Sequence, residues 1–345
     1  MAVQLGLNRW DWRTPTTFAA SVADGEALGV DAAFVPVNPL AVGDPYVLLA
    51  RAAAATQNIR LGPMLETPVL RPPAIAAGSI ATLDAVSDGR ALLVYGVGDT
   101  AVRWLGKRPA TVAELEAATA EARALLAGER RDYGAGHAVG LRHARPVPVW
   151  VAAGGPRSLR MAGRVADGVF LRVGTHPANL AAAVAAIRAG AVEASRDPAD
   201  IGIGVVIHTV FDQTPAAARA IARSMAAGFY EYSPALFAQA GLAWSGPPVE
   251  DLRARVWPDF HHAADLIEAG GLVDFLDDDV ARSFSLVGSD TDIRDQLSAV
   301  LTTVPDVSMV VPHPVPMPDP EGLAIYRRWL SNHIKPILGS ASGTM

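Results

Sequence analysis

The chain has 345 residues and no cysteine, which excludes disulfides, thiolate nucleophiles, iron–sulfur clusters and cysteine-ligated zinc together. It has no uninterrupted apolar run of about twenty residues, the length a membrane-spanning helix needs, so none is predicted. Its opening, MAVQLGLNRW, lacks the basic segment and apolar stretch of a secretory leader. No signal peptide is therefore expected, and the cytoplasm is the expected compartment. Basic charge is in deficit, and a formal net charge of −6 argues against nucleic acid or an anionic membrane as the main partner. Only 19% of residues are charged against 50% hydrophobic, which disfavours long disorder and leaves ample material for a core. The length suits two average domains or one α/β barrel.

Strand-like and helix-like segments alternate along the chain. Strands are expected at Val3–Leu7, Asp31–Val35, Ile59–Leu65, Ala91–Tyr95, Pro148–Ala153, Gly168–Val173, Ile203–Phe211 and Val307–Val311. Helices open after Thr14-Pro15, Asp44-Pro45, Pro73, Thr111, Pro156 and Pro177, and the last runs from Glu321 to Ile337. Eight strands alternating with helices favour a single α/β (β/α)8 TIM-type barrel over an open doubly wound sheet. Between strands seven and eight the rhythm breaks. Residues 228–284, richer in aromatics, proline and acid, read as a helical insertion over the barrel mouth, and the SASGTM terminus reads as a frayed tail. The alanine-rich early helices permit a homodimer.

The chain is organised around Pro72–Thr100. Ile75, Ile80, Leu83 and Val86 mark one buried helix face, Ser87-Asp88-Gly89-Arg90 is turn chemistry, and Ala91–Tyr95 is a buried strand. That strand opens onto Gly96-Val97-Gly98-Asp99-Thr100, small residues and a carboxylate where a barrel binds ligands. The glycines also fit a dinucleotide fingerprint, but they follow the fourth strand, and no strand-ending acid lies about twenty residues on. A second turn, Ala153-Gly154-Gly155-Pro156-Arg157-Ser158, joins a strand to a helix whose exposed N–H groups suit a phosphate.

ATLDAVSDGRALLVYGVGD and the later Gly-Gly-Pro-Arg-Ser turn, with Ala166-Asp167-Gly168-Val169 beyond it, resemble the bacterial-luciferase-like superfamily. Gly98-Asp99-Thr100-Ala101-Val102 is more similar to its coenzyme F420-dependent branch, the methylenetetrahydromethanopterin reductase type. The resemblance implies hydride transfer between the deazaflavin F420 and a small organic substrate, with an FMN-dependent monooxygenase as one alternative and a non-catalytic cofactor-binding protein as another. It implies a non-prolyl cis peptide and bulge at Met64-Leu65, with Glu66 and Thr67 pointing into the mouth. Gly96, Gly98, Asp99, Thr100 and residues 153–158 would contact the cofactor, and Arg172 its phosphate or polyglutamate tail. Asp99, Glu66 and Asn38 are the proton donor or polarising candidates in that order. Asp99 is equally placed to cap the helix that follows. Many deazaflavin relatives carry a polar pair after strand two, where Asn38 is the sole polar survivor here; that departure puts the usual catalysis in doubt.

Asn8, Trp10 and Trp12, after strand one, either wall a flat substrate pocket or pack between loop and insertion. His313, at the end of strand eight, is a further substrate candidate, and His208 reads as a core histidine. His261-His262 with Asp265 lacks facial-triad spacing, so no metal site is assigned. Asp277-Asp278-Asp279 reads as a solvated loop.

Overall fold

The computed structural model describes residues 2–38 and 40–340; Met1, Pro39 and the last five residues of the SASGTM tail lie outside them. Two compact units share the chain, residues 4–170 with 186–203, and residues 171–185 with 204–340. In chain order the elements are β1 (Gln4–Leu7), α1 (Pro15–Ala27), β2 (Ala32–Val35), α2 (Pro45–Ala53), β3 (Arg60–Glu66), α3 (Pro73–Val86), β4 (Leu93–Tyr95), α4 (Thr100–Trp104), α5 (Val112–Leu126), β5 (Val149–Ala153), α6 (Pro156–Val165), β6 (Gly168–Leu171) and α7 (Pro177–Glu193). They continue with β7 (Gly202–Val210), α8 (Pro215–Tyr232), α9 (Ala235–Gln239), α10 (Val249–Arg253), α11 (Leu266–Gly271), α12 (Asp278–Arg282), β8 (Ser285–Leu286), α13 (Asp290–Thr303), β9 (Val307–Val315), α14 (Pro320–Trp329) and α15 (Lys335–Ser340).

The strand order β6-β5-β4-β3-β2-β1-β9-β7, with β6 also bonded to β7, is that of a (β/α)8 barrel, and β8 is an extra strand on β7. The expected barrel is therefore the observed fold. The two-residue β8 had no apolar run to announce it. It exists because it lies parallel to β7, with Ser285 opposite His208 and Leu286 opposite Thr209. In the first unit the parallel registers place Gly6 beside Ala32, Ala33 beside Leu61, and Leu93 beside Val149. All strands of this set thus end at one edge.

Side chains at strand entrances hold that register. Asp31, Asp84 and Asp167 each turn a carboxylate back onto the start of a strand segment, accepting from the amides of Leu5 (2.7 Å), Ala91 (3.1 Å) and Val149 (2.8 Å). Arg90 fans its guanidinium over the end of α2, donating to Thr56 Oγ1 and to the carbonyls of Ala53, Thr56 and Ile59. The Asp and Arg of the ATLDAVSDGR signature, and the Asp of Ala-Asp-Gly, are therefore architectural. Asp88 and Gly89 both take positive φ, 57° and 84°, which makes the tight turn into β4. Capping boxes start α1 at Thr14, α5 at Thr111 and α13 at Ser289.

Three expectations about packing are corrected. Of the expected face of α3, Ile80 and Leu83 are buried but Ile75 and Val86 are exposed, because the buried face turns to take in the small residues Ala76, Ala77 and Ala81 beside them. α8 continues unbroken through Gly228 to Tyr232, so the irregular segment begins five residues later than expected. There Gly228 leaves room for the His261 ring, whose Cδ2 would lie 2.2 Å from an added Cβ. Asp277 is a helix cap rather than part of a solvated loop, accepting from the Val280 amide at 2.8 Å.

Candidate active site

Most of the sequence candidates fall at the ends of β1 to β5, within the first unit. The β3–β4 junction is bonded most densely. The Met64–Leu65 peptide is cis, and the β3–β4 register slips between Met64 and Glu66, forming the expected bulge. Glu66 O accepts from Gly96 N at 2.9 Å, and Thr67 Oγ1 donates to Val97 O at 3.1 Å. Leu65 lies so close to Gly96 that a Cβ there would meet Leu65 Cδ2 at 2.6 Å. Gly98, at φ 74°, is crowded by Val102 and Thr67 in the same way. These two glycines therefore serve contact between strand ends as well as any ligand.

Asp99 occupies the N-cap position of α4, but its side chain caps nothing; it forms an ion pair with Arg103 one turn on. Thr100 opens the same short helix and is half-buried. Asn38 follows β2, and its Oδ1 is a buried acceptor with no hydrogen-bond partner among the described residues.

Tyr95 pairs with Val151 on β5, so Gly96–Thr100 and Ala153–Ser158 lie at the same edge of adjacent parallel strands. Ala153 is buried, Gly154 and Gly155 are half-buried, and Pro156 and Arg157 are exposed. α6 is a ten-residue helix capped by Gly155, with no side chain on its first-turn N–H groups; Ser158 Oγ donates to Gly155 O at 2.8 Å.

Glu66 does not face open space. It is 0% exposed, and burial pushes its carboxyl above the usual range, against the pull of the Thr67 amide, Arg71 and Tyr46. Sequence reasoning missed its partners, because Tyr46 lies twenty residues away in α2 and Arg71 five residues on in an irregular loop, neither at a spacing that signals contact.

Of the aromatic candidates, Trp10 is corrected. It is 0% exposed, its Nε1 donates to Leu7 O at 3.1 Å, and its ring lies over Gly25, so it is core and walls no pocket. Asn8 is likewise buried, whereas Trp12 is half-buried with Arg9 stacked on its ring.

In the second unit His313 is half-buried and meets His208 edge-on at 5.3 Å, and His208 meets His261 at 4.8 Å. His261 is buried, and desolvation takes its pKa down to about 3, aided by the charges of His262 and Arg172. Asp259 accepts from both His261 N and His262 N and bonds His262 Nδ1 at 2.8 Å. Nothing in the sequence separates these histidines from a surface cluster, since the contacts join residues more than fifty positions apart. Asp265 caps α11 and takes no part. Arg172 lies just beyond β6 in this unit, half-buried.

A parallel barrel whose strand ends carry a bulge, a glycine tip and a helix start with no side-chain cap is a (β/α)8 barrel of the α/β class. Residues 9–306 match the luciferase-like monooxygenase family, and the chain belongs to it. It is 33% identical over 202 residues to the 5,10-methylenetetrahydromethanopterin reductase of Methanolobus tindarius, covering 55% of this chain and 60% of that one. It is 35% identical over 219 residues to the phthiodiolone/phenolphthiodiolone dimycocerosates ketoreductase of Mycobacterium bovis (strain BCG / Pasteur 1173P2), covering 58% of this chain and 53% of that one. The matches thus span only a little over half of these relatives' length. The fold is that of the coenzyme F420-dependent tetrahydromethanopterin reductase of Methanopyrus kandleri, with a TM-score of 0.78 and 23% identity over 97% of this chain and 99% of that one. Among the described residues no helix is long and apolar enough to cross a membrane.

Proposed function

We propose that this protein is an oxidoreductase that transfers hydride between coenzyme F420 and a small organic substrate. The observation that carries the reading is the set of strand ends in one unit: the β3 bulge, the β4 glycine tip and the α6 start share one edge. The residues present fit a phosphorylated deazaflavin. The first-turn N–H groups of α6 suit a phosphate, and Arg157 stands one residue inside that helix. Asn38 Oδ1 is a buried acceptor that a ring or substrate N–H or O–H would satisfy. When bound, the deazaflavin supplies the carbon that gives or takes a hydride.

This chain's own residues supply position and protons. Met64, Leu65 and Thr67 back the ring, Gly96, Gly98 and Thr100 bound its edge, and residues 153–158 hold the phosphate. Asp99 is the proton carrier at the strand ends, its carboxyl positioned by Arg103. Relatives named for reductions, one of them a ketoreductase, support reduction of an organic substrate. A homodimer in the cytoplasm is the proposed working form, checked by sedimentation velocity and fractionation.

Anaerobic assays with reduced and oxidised F420 against a panel of ketones and secondary alcohols test the reading. It expects oxidation of reduced F420 that depends on a ketone and falls about a hundredfold or more in Asp99→Asn, the range for loss of a general acid. Binding of F420 without turnover across the panel would make the protein a carrier instead.

A further inference from the structure

Glu66 stands among the sequence's candidates for a proton donor, yet its surroundings suit another task. Oε1 accepts from Thr67 N at 3.0 Å. Oε2 accepts from the Tyr46 hydroxyl at 3.1 Å and pairs with Arg71 Nε at 3.1 Å. Both oxygens are therefore engaged, and the side chain has no exposed surface through which to meet a substrate.

The partners are linked in turn. The Arg71 guanidinium lies 4.7 Å from the Tyr46 ring centroid, and its Nη2 reaches Asp44 Oδ2 at 3.0 Å. Asp44 caps α2, accepting from Tyr46 N at 2.9 Å and Val47 N at 3.1 Å. The circuit Asp44–Arg71–Glu66–Tyr46 thus closes through the first turn of α2. The main chain of Glu66 also accepts from Gly96 N, and the next residue reaches Val97 O through its hydroxyl. The Glu66 side chain therefore ties the start of α2 to the β3 bulge, and the main chain of Glu66 with the Thr67 hydroxyl ties that bulge to the β4 tip. Two strand ends bearing cofactor and catalytic candidates are thus braced against the start of α2 at a single buried point.

We propose that Glu66 is a positioning residue: its clamped carboxylate sets the shape of the β3 bulge and β4 tip that receive the cofactor, and it delivers no proton. This rests on the deazaflavin reading above. A low-dielectric site makes each bond to the carboxylate strong and each lost partner costly, so the clamp behaves as a unit.

The test compares Glu66→Gln, Glu66→Ala, Tyr46→Phe and the Gln/Phe double variant. F420 affinity is read by fluorescence, kcat by turnover, and hydrogen exchange on the cofactor-free protein in peptides spanning residues 60–71 and 93–100. Loss of a bond to a charged group corresponds to about tenfold to a hundredfold in an equilibrium constant. Glu66→Gln, which keeps an acceptor for the Thr67 amide, is expected to weaken F420 binding by about tenfold and to leave kcat at saturation within about threefold. Tyr46→Phe should do the same, and the double variant should be weaker than either single by less than the product of their effects. Glu66→Ala should speed exchange in both peptides together. The proposal is overturned if Glu66→Gln abolishes kcat with F420 affinity intact, the signature of a proton donor. It is equally overturned if exchange rises in the 60–71 peptide alone, or if Tyr46→Phe leaves affinity unchanged. Should Glu66→Ala fail to fold, the Gln and Phe variants decide. If the wild type binds no F420, the functional reading fails, while exchange in Glu66→Gln and Tyr46→Phe still tests whether the clamp joins the two strand ends.

Discussion

A single methyl group at Gly96 separates packing from cofactor binding. In Gly96→Ala the new Cβ would lie 2.6, 3.0 and 3.1 Å from Leu65 Cδ2, Cδ1 and Cγ, and no backbone atom is among its three nearest neighbours. Leu65 is half-buried, so it relieves the clash by moving outward. The stability cost then sits at the low end of the overpacking range, about 1 kcal/mol, or a fall in Tm of about 2 °C for a chain of this size. Leu65, however, is the residue proposed to back the deazaflavin ring, and it would move toward the space the ring fills. F420 affinity is expected to fall by at least tenfold, about 1.4 kcal/mol, an effect larger than the loss of stability. Differential scanning fluorimetry and F420 fluorescence titration read the two quantities on one preparation. Gly271→Ala, with nothing within 4 Å of its Cβ, is the control and should change neither appreciably. The reasoning fails if Gly96→Ala lowers Tm as stated and leaves affinity within twofold. It fails too if Tm drops by ten degrees or more, since the backbone would then be what moved.

Glu26→Ala removes the acceptor for the amides of Gln57, Asn58 and Ile59 and should cost about 2 kcal/mol in urea unfolding. Burial opposes the Glu26 charge, but those three amides outweigh it and lower its pKa in the folded state. Its contribution should therefore be full above the usual carboxylate range and fade as pH falls through the folded value. Gly190→Ala should yield little soluble protein or cost at least about 3 kcal/mol, because its Cβ would lie 1.9 Å from Arg160 O, a helix carbonyl that cannot rotate away. His261, held neutral with a pKa of about 3 against an unfolded value of 6.5, binds its proton more readily in the unfolded chain. Stability should accordingly fall as pH drops below about 6.5, by up to about 1.4 kcal/mol per pH unit, and His261→Phe should flatten that slope in pH-dependent denaturation.

Much of the barrel was legible because its elements carry their own punctuation. Pro15, Pro45, Pro73, Pro156 and Pro177 sit at helix starts, and Asp44, Thr111 and Gly155 occupy the cap positions the sequence suggested. The β3 bulge and the cis peptide at Met64–Leu65 came from family resemblance rather than from periodicity. Failures arose where packing overrode local pattern. The face of α3 drawn through its large residues holds at Ile80 and Leu83, but Ala76, Ala77 and Ala81 take the buried places assigned to Ile75 and Val86. Trp10 follows strand one, where a flat ring can either wall a pocket or pack, and a glycine in α1 makes room for its ring in the core. The Glu66–Tyr46 bond and the His208–His261–His313 contacts were invisible for a different reason: each joins residues distant in sequence and leaves no periodic trace.

The central claim is that the turns after β3, β4 and β5 seat one phosphorylated deazaflavin. Titration of the purified wild type with F420 and, separately, with FMN tests it most directly. The account predicts saturable, one-to-one quenching of F420 fluorescence that weakens in Arg157→Ala and Gly96→Ala, and no comparable response to FMN. Binding of FMN in preference to F420, or of neither, would contradict it.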